Sequence, residues 1–149
     1  KGKTSNVLIL TDGNGIPIAI GDILSGNHND LYKVVPQLSK MIANLNQVGI
    51  CIENSALNAD KGFDSKHLRR YCHQKKIIPN IKENVRSRKQ TKRGRKRQFF
   101  EKVYKQRFVN ERTFAWLDSF KTLLIRFDKS VLSWINWHYI AFALILIKV

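Results

Sequence analysis

Acidic side chains are the scarce component of this chain: 11 Asp and Glu stand against 27 Lys and Arg in 149 residues, leaving a formal charge of +16 and an isoelectric point near 10.2. Such a deficit excludes a neutral surface and favours a polyanionic partner such as DNA or RNA. Cysteine is nearly absent as well. Cys51 and Cys72 lie 21 positions apart with no Cys-x-x-Cys pair, which excludes a disulfide framework and a cysteine zinc site and makes a reducing compartment the default. No signal-peptide pattern opens the chain. The apolar stretch 140–149, bracketed by His138 and Lys148, falls short of the roughly 20 residues of a membrane span and reads as a buried C-terminal helix. Lys rather than Met stands at position 1, from which a truncated or internal piece of a longer polypeptide is expected. No internal repeat is visible.

What is present suits one globular domain, with 43% hydrophobic and 26% charged residues. Apolar runs at 6–10 and 16–24 are joined by Asp12-Gly13-Asn14-Gly15, which supplies the positive-φ residues of a tight hairpin. Leu31, Val34, Val35, Leu38, Met41, Ile42 and Leu45 recur at helical spacing, with Pro36 marking a break or a fresh start. A short strand is expected within 50–59, ending at Asp60. Asp64 or Ser65 can cap a helix to about Lys75, with Asp64 the preferred cap, and 77–81 is a further strand. The order is therefore β-β-α-β-α-β. Helical pattern returns from 99 to 127 and again from 134 to 147.

Between the last strand and those helices the composition changes abruptly. Lys82, Arg86, Arg88, Lys89, Lys92, Arg93, Arg95, Lys96 and Arg97 stand against the single acid Glu83, with Gly94 near the middle. A run of that composition, about 82–98, cannot fold alone and reads as a loop that neutralises phosphate.

Two carboxylates flank it. Asp60 sits at the C-terminal end of a strand, before a glycine turn and a helix, where α/β sheets place ligands and metals; an ordinary Asp-x-Gly turn explains it equally well. On a helix, Tyr104, Arg107, Glu111 and Asp118 share one face beside the apolar arc of Val103, Phe114, Leu117 and Leu124. A solvated face with an Arg107–Glu111 ion pair is the competing reading. Two acids able to meet beside a cationic surface suit metal-dependent phosphoryl transfer, because a hard divalent cation wants oxygen ligands and the substrate wants positive charge.

Ala59-Asp60-Lys61-Gly62-Phe63-Asp64-Ser65 resembles the segment around the second catalytic Asp of bacterial DDE-type insertion-sequence transposases. Tyr104-x2-Arg107-x3-Glu111 is similar to the Tyr-Arg-Glu-Lys signature that carries their final Glu, and 112–117, 12–17, 25–30 and 126–129 match in order. The signature Lys falls on Asp118, with Lys121 one turn further on. The resemblance implies an α/β, RNase H-like mixed sheet flanked by helices, missing its first strand and with it the first catalytic Asp, followed by helices at about 99–148. The whole of 1–149 is then a partial catalytic domain, with backbone edges left unpaired and poor stability.

What the resemblance implies for function is DNA strand cleavage and transfer, with Asp60 and Glu111 as two of three acids holding two Mg²⁺ ions about 4 Å apart, Mn²⁺ being able to substitute. Tyr104 and Arg107 would hold DNA near the scissile bond, with Arg112, Lys121 and the basic run from Lys82 to Arg97 adding contacts. The partners are the element's DNA ends and target and a second transposase subunit. Neither a membrane nor a small-molecule substrate is expected, and the place is the bacterial cytoplasm at the nucleoid. The piece alone is expected to be inactive. Composition by itself prefers another reading, a non-enzymatic basic nucleic-acid-binding protein in which both acids are structural.

Overall fold

The computed structural model describes residues 4–29, 31–84 and 97–148. The expected hairpin is present but interrupted. Strands β1 (Ser5–Asn6) and β2 (Ile9–Thr11) pair antiparallel with β4 (Leu24–Ser25) and β3 (Pro17–Ile20) respectively. Between the two ladders residues 21–23 face only 7–8, so the register slips by one and the strand bends as at a bulge. The Gly21 amide still donates to the Leu8 carbonyl at 2.8 Å.

At the hairpin tip the Asp12 carboxylate accepts from the amides of Asn14 at 2.9 Å and Ile16 at 2.8 Å, the Asx pattern that makes Asp a turn residue. Gly15 has φ +82°, and a Cβ there would stand 2.6 Å from Val109 Cγ1. Only glycine allows the tip to lie against that later helix.

Helix α1 (Val34–Gln47) begins three residues after Leu31, because Pro36 falls in its first turn, where a missing N–H costs nothing, and Lys33 at φ 52° closes the preceding turn. Strands β5 (Ala56–Ala59) and β6 (Ile78–Ile81) run parallel, connected through a 3₁₀ turn at Lys61–Phe63 and helix α2 (Lys66–Gln74). Ser65, not Asp64, caps α2, its hydroxyl accepting from the Leu68 amide at 3.1 Å. Asp64 is turned inward instead.

The helical stretch 99–127 is broken into α3 (Glu101–Lys105), a 3₁₀ turn at Gln106–Phe108, α4 (Val109–Asp118) and α5 (Lys121–Leu124). Arg126 fixes the non-helical link that follows. Its guanidinium donates to the Ser5 hydroxyl at 2.7 Å and the Asp128 carbonyl at 3.0 Å, and it lies over the Trp134 ring.

Helix α6 (Val131–Lys148) starts earlier than the apolar pattern suggested. It is long and apolar enough to cross a membrane by length and composition, yet one face, with Trp134, His138, Ala141, Phe142 and Ile145, is packed in the core. The opposite face is open, Leu132 and Ile147 being 68% and 80% exposed, so the expected burial holds for one narrow face only and most of the helix is not buried. Burial pushes the His138 imidazole below its ordinary value, and its Nδ1 must be the donor to the Trp134 carbonyl at 2.9 Å, since a carbonyl can only accept.

Helices thus cover both sides of the strands. Val34, Leu38, Met41, Leu68, Cys72, Ile77 and Ile81 form one core between α1, α2 and β6. Ile20 joins Leu117, Leu123, Ala141, Phe142 and Ile145 in a second core on the other side. The architecture is mixed α/β. Instead of one continuous mixed sheet, the strands form three two-stranded ladders among the described residues, because β2 and β5 each have a strand partner on one edge only.

Candidate active site

Between β2 and β5 lies a cavity of about 630 Å³, lined on one side by residues 5–11 and on the other by Leu57, Asn58, Ala59 and Asp60. A second cavity of about 300 Å³ continues it past Ile9, Leu10, Thr11, Leu57 and Asn58. Glu111 and Asp60 both line the larger one. Asp60, just after β5, and Glu111, in the first turn of α4, therefore border a common space, although 51 positions separate them in sequence.

Asp60 is half exposed, with 56% of its side chain open to solvent. It is not alone. The Tyr104 phenol donates to Asp60 Oδ1 at 3.3 Å, and Arg107 Nη1 lies 3.9 Å from the same oxygen. Burial raises the Tyr104 phenol above its ordinary value, which keeps its proton available for that hydrogen bond. The Arg107 guanidinium also sits over the Tyr104 ring, 5.3 Å from its centroid. Arg107 thus pairs with Asp60, and the Arg107–Glu111 pair weighed from helical spacing is not formed. Lys82, Lys105 and Arg107, the acids Glu101 and Glu111, and the rings of Phe99, Tyr104 and Phe108 surround a further cavity of about 480 Å³.

Sequence reasoning missed what places Tyr104 there. Asn58 and Asn80 are register partners in β5 and β6. The Asn80 amide donates to Asn58 Oδ1 at 2.7 Å and to the Phe100 carbonyl at 3.1 Å, while its own oxygen accepts from the Phe100 amide at 2.8 Å. Asn58 donates to the Val103 carbonyl at 3.0 Å. Two strand asparagines therefore anchor α3 across the sheet. The available signal was a lone Asn within each apolar strand, Leu57-Asn58-Ala59 and Pro79-Asn80-Ile81. Asn80 is fully buried, so Asn80→Leu should cost about 2 kcal/mol through the Phe100 and Asn58 groups left unpaired, seen as a lower midpoint in urea, and should loosen Tyr104 from Asp60.

Helix α4 is fixed from the other side. Thr11 donates to Asn110 Oδ1 at 2.7 Å, and the Thr113 hydroxyl donates to the Gly15 carbonyl. Arg112 donates to the Asn14 carbonyl and lies over the Trp116 ring, so its guanidinium ties the hairpin tip to α4.

Asp64 was also misread. Its carboxylate, 7% exposed, receives Arg69 Nε at 2.8 Å, Arg97 Nη1 at 3.2 Å and the Asn84 amide at 2.8 Å. Burial alone would push this carboxyl up, but the Asn84 amide and the two guanidiniums outweigh it and hold it below the ordinary carboxylate range. Arg69 continues to the carbonyls of Pro79 and Ile81 at 3.2 and 2.7 Å.

Of the remaining residues singled out from sequence, Lys82 and Lys121 are exposed, and Arg97 is engaged with Asp64 and Glu83. Arg86, Arg88, Lys89, Lys92, Arg93, Arg95 and Lys96 lie outside the described residues. Asp12 is committed to its turn. Among the described residues no three His, Cys, Asp or Glu side chains cluster as a metal site would require; Asp60 and Glu111, which line the cavity, are two hard oxygen donors of the type such a site uses.

A family model for the transposase DDE domain matches residues 1–146, and the chain belongs to that family. It is 33% identical over 123 residues to a protein of Burkholderia cepacia described as a transposase for insertion sequence element IS402, a match covering 81% of this chain and 52% of that protein. The chain thus spans about half the length of the curated relative it matches. No solved structure matches it.

Proposed function

We propose that this chain is part of the catalytic domain of an insertion-sequence transposase, in which Asp60 and Glu111 hold divalent cations, Mg²⁺ or in its place Mn²⁺, for DNA strand cleavage and transfer. The observation that carries this reading is that both carboxylates, from β5 and α4, line one cavity with Arg107, and that Tyr104 and Arg107 meet at Asp60. A cation bound there supplies Lewis-acid stabilisation of an in-line phosphoryl transfer. The chain's own residues hold and screen the DNA. Arg107 and Lys82 offer charge to phosphates, and Tyr104, Phe99 and Phe108 offer faces for bases. Asp60 and Glu111 would hold the cation, and Arg107, whose pair with Asp60 is long at 3.9 Å, would offer its guanidinium to phosphate.

The fold belongs to the same proposal. An RNase H-like sheet with its first strand between β2 and β5 would use both single-partnered strands, and support for it lies in the cavity between them, apolar at Leu8, Leu10, Leu57 and Met41. Such a strand would carry the third acid to Asp60 and Glu111. The basic run from Arg86 to Lys96 would neutralise phosphate, Arg97 would serve Asp64 and Glu83 instead, Lys121 would contact DNA beside the helix, and Arg112 would act chiefly by holding α4. A dimer working on the element's ends in the bacterial cytoplasm, at the nucleoid, completes the reading.

Mn²⁺ binding tests the site. Water-proton relaxation should report a weak Mn²⁺ site in the 149-residue chain, and the Asp60→Asn, Glu111→Gln double variant should bind at least about tenfold more weakly, each lost carboxylate removing a hard ligand. Equal relaxation enhancement in both proteins would instead favour the non-enzymatic reading, in which Asp60 serves only Tyr104 and Arg107.

A further inference from the structure

The densest set of cations without acidic partners among the described residues lies not in the helix of the site but on α2. Between positions 61 and 81 six Lys and Arg stand against one acid, Asp64. Asp64 is consumed inside the fold by Arg69 and Arg97, and Lys76 pairs with Glu53. Lys61, Lys66, Arg70 and Lys75 are left exposed, with no ion pair among the described residues.

Two of them, Lys66 and Arg70, stand on α2 itself. At 100° per residue Lys66, Arg70 and His73 fall within about 60° of one another, with His67 some 60° beyond Arg70. All four are exposed, while Leu68, Arg69 and Cys72 occupy the opposite, buried arc. The helix is rigidly held: Ser65 caps it, Leu68 and Cys72 are in the core, and Arg69 is bonded to two carbonyls of β6. Its first residue follows Asp60 by only six positions, across one 3₁₀ turn.

We infer that the outer face of α2, through Lys66 and Arg70 with His67 and His73 as further hydrogen-bond donors, is a second DNA surface that binds the phosphate backbone of duplex DNA and fixes its position relative to Asp60. This rests on the DNA reading above and extends it to a surface outside the acid-bearing site. Nine residues span about 13 Å, the length over which about four phosphates of each strand pass. Lys66 and Arg70 are one turn, about 6 Å, apart and reach two of them. The only ring on α2 other than its histidines is Tyr71, which is half-buried with its hydroxyl inside the fold. Apart from the small imidazoles of His67 and His73, the face therefore offers no Phe, Tyr or Trp platform of the kind single strands stack on. Charge with so little ring surface favours a duplex backbone, and contacts of that kind set register without reading sequence.

The test is a salt series of duplex binding at pH 7.5 with the parent chain, Lys66→Gln/Arg70→Gln, and a control losing equal charge elsewhere, Lys129→Gln/Lys148→Gln. Two lost phosphate contacts should flatten the log–log slope by about 1.8 and weaken binding about 60-fold at 0.1 M salt, with the curves converging toward 1 M. The control should keep the parent slope, and thermal melts should show all three proteins equally folded. A single strand with the same number of phosphates should lose less affinity than the duplex. A parent slope retained in Lys66→Gln/Arg70→Gln, or an equal loss in the control, overturns the α2 surface and leaves the DNA reading standing. A parent chain with no salt-dependent binding overturns both.

Discussion

Extending the chain at its N-terminus with the residues that precede it in its reading frame is expected to produce Mg²⁺- or Mn²⁺-dependent nicking and strand transfer on DNA bearing the element's ends, while the 149-residue chain gives neither. In the extended protein Asp60→Ala or Glu111→Ala should lower the rate by on the order of 10³-fold or more. Metal stabilisation of the transferring group is worth several kcal/mol, and each 1.36 kcal/mol is tenfold. DNA binding should fall far less, since it rests on cations elsewhere. Nicking on gels and binding by anisotropy, run on the same preparations, separate the two. Activity in the present chain that is lost in Asp60→Ala would mean that another of its acids completes the site, with Asp12 and Asp30 the first to examine. Asp12 would have to leave two amides in the hairpin turn to do so.

Removing Arg69 should be the most damaging single change to stability. Arg69→Met keeps the volume but leaves the Asp64 carboxylate, 7% exposed, with only the more open Arg97 and one amide, and strips the Pro79 and Ile81 carbonyls of their donor. A cost of about 3 kcal/mol is expected, at the lower end for breaking a buried pair because Arg97 remains. Urea denaturation at pH 7 reads it directly. The pH dependence has a definite sign. The Asp64 carboxyl is held below its ordinary value in the folded state, so its contribution is complete above the unfolded value of about 3.9 and is lost as pH falls from there through the folded value. Asp64→Asn should therefore lower stability at neutral pH and flatten its decline in acid. Parallel acid limbs in the two proteins would show that Asp64 is not a source of the acid sensitivity.

Several features of this protein are set by local chemistry, and these the residue order determined alone. Asp12-Gly13-Asn14-Gly15 can only turn, and the hairpin forms there. A capping residue at 64 or 65 and the apolar spacing of Leu68 and Cys72 make α2, and the excess of cations sets the sign of the chain's own charge. The likeness around Asp60 and around Tyr104, Arg107 and Glu111 pointed to the family, which the match over residues 1–146 bears out.

Other features depend on groups far apart in sequence, and only the tertiary structure decided them. Helical periodicity extends through 106–108 and 119–120, but the chain breaks there to pack α4 against Gly15 and to let Arg126 reach Ser5. A carboxylate before a helix looks like a cap from its neighbours. Asp64 became a buried anion because Arg69, Arg97 and the Asn84 amide converge on it. Asn58 and Asn80 looked like polar interruptions in strands until their parallel register brought them together to anchor α3. Asp60 found Tyr104 and Arg107, 44 and 47 positions away, for the same reason: hydrogen bonds and ion pairs between elements are selected by the packing of apolar faces that first brings those elements together, and local sequence carries no record of which faces will meet.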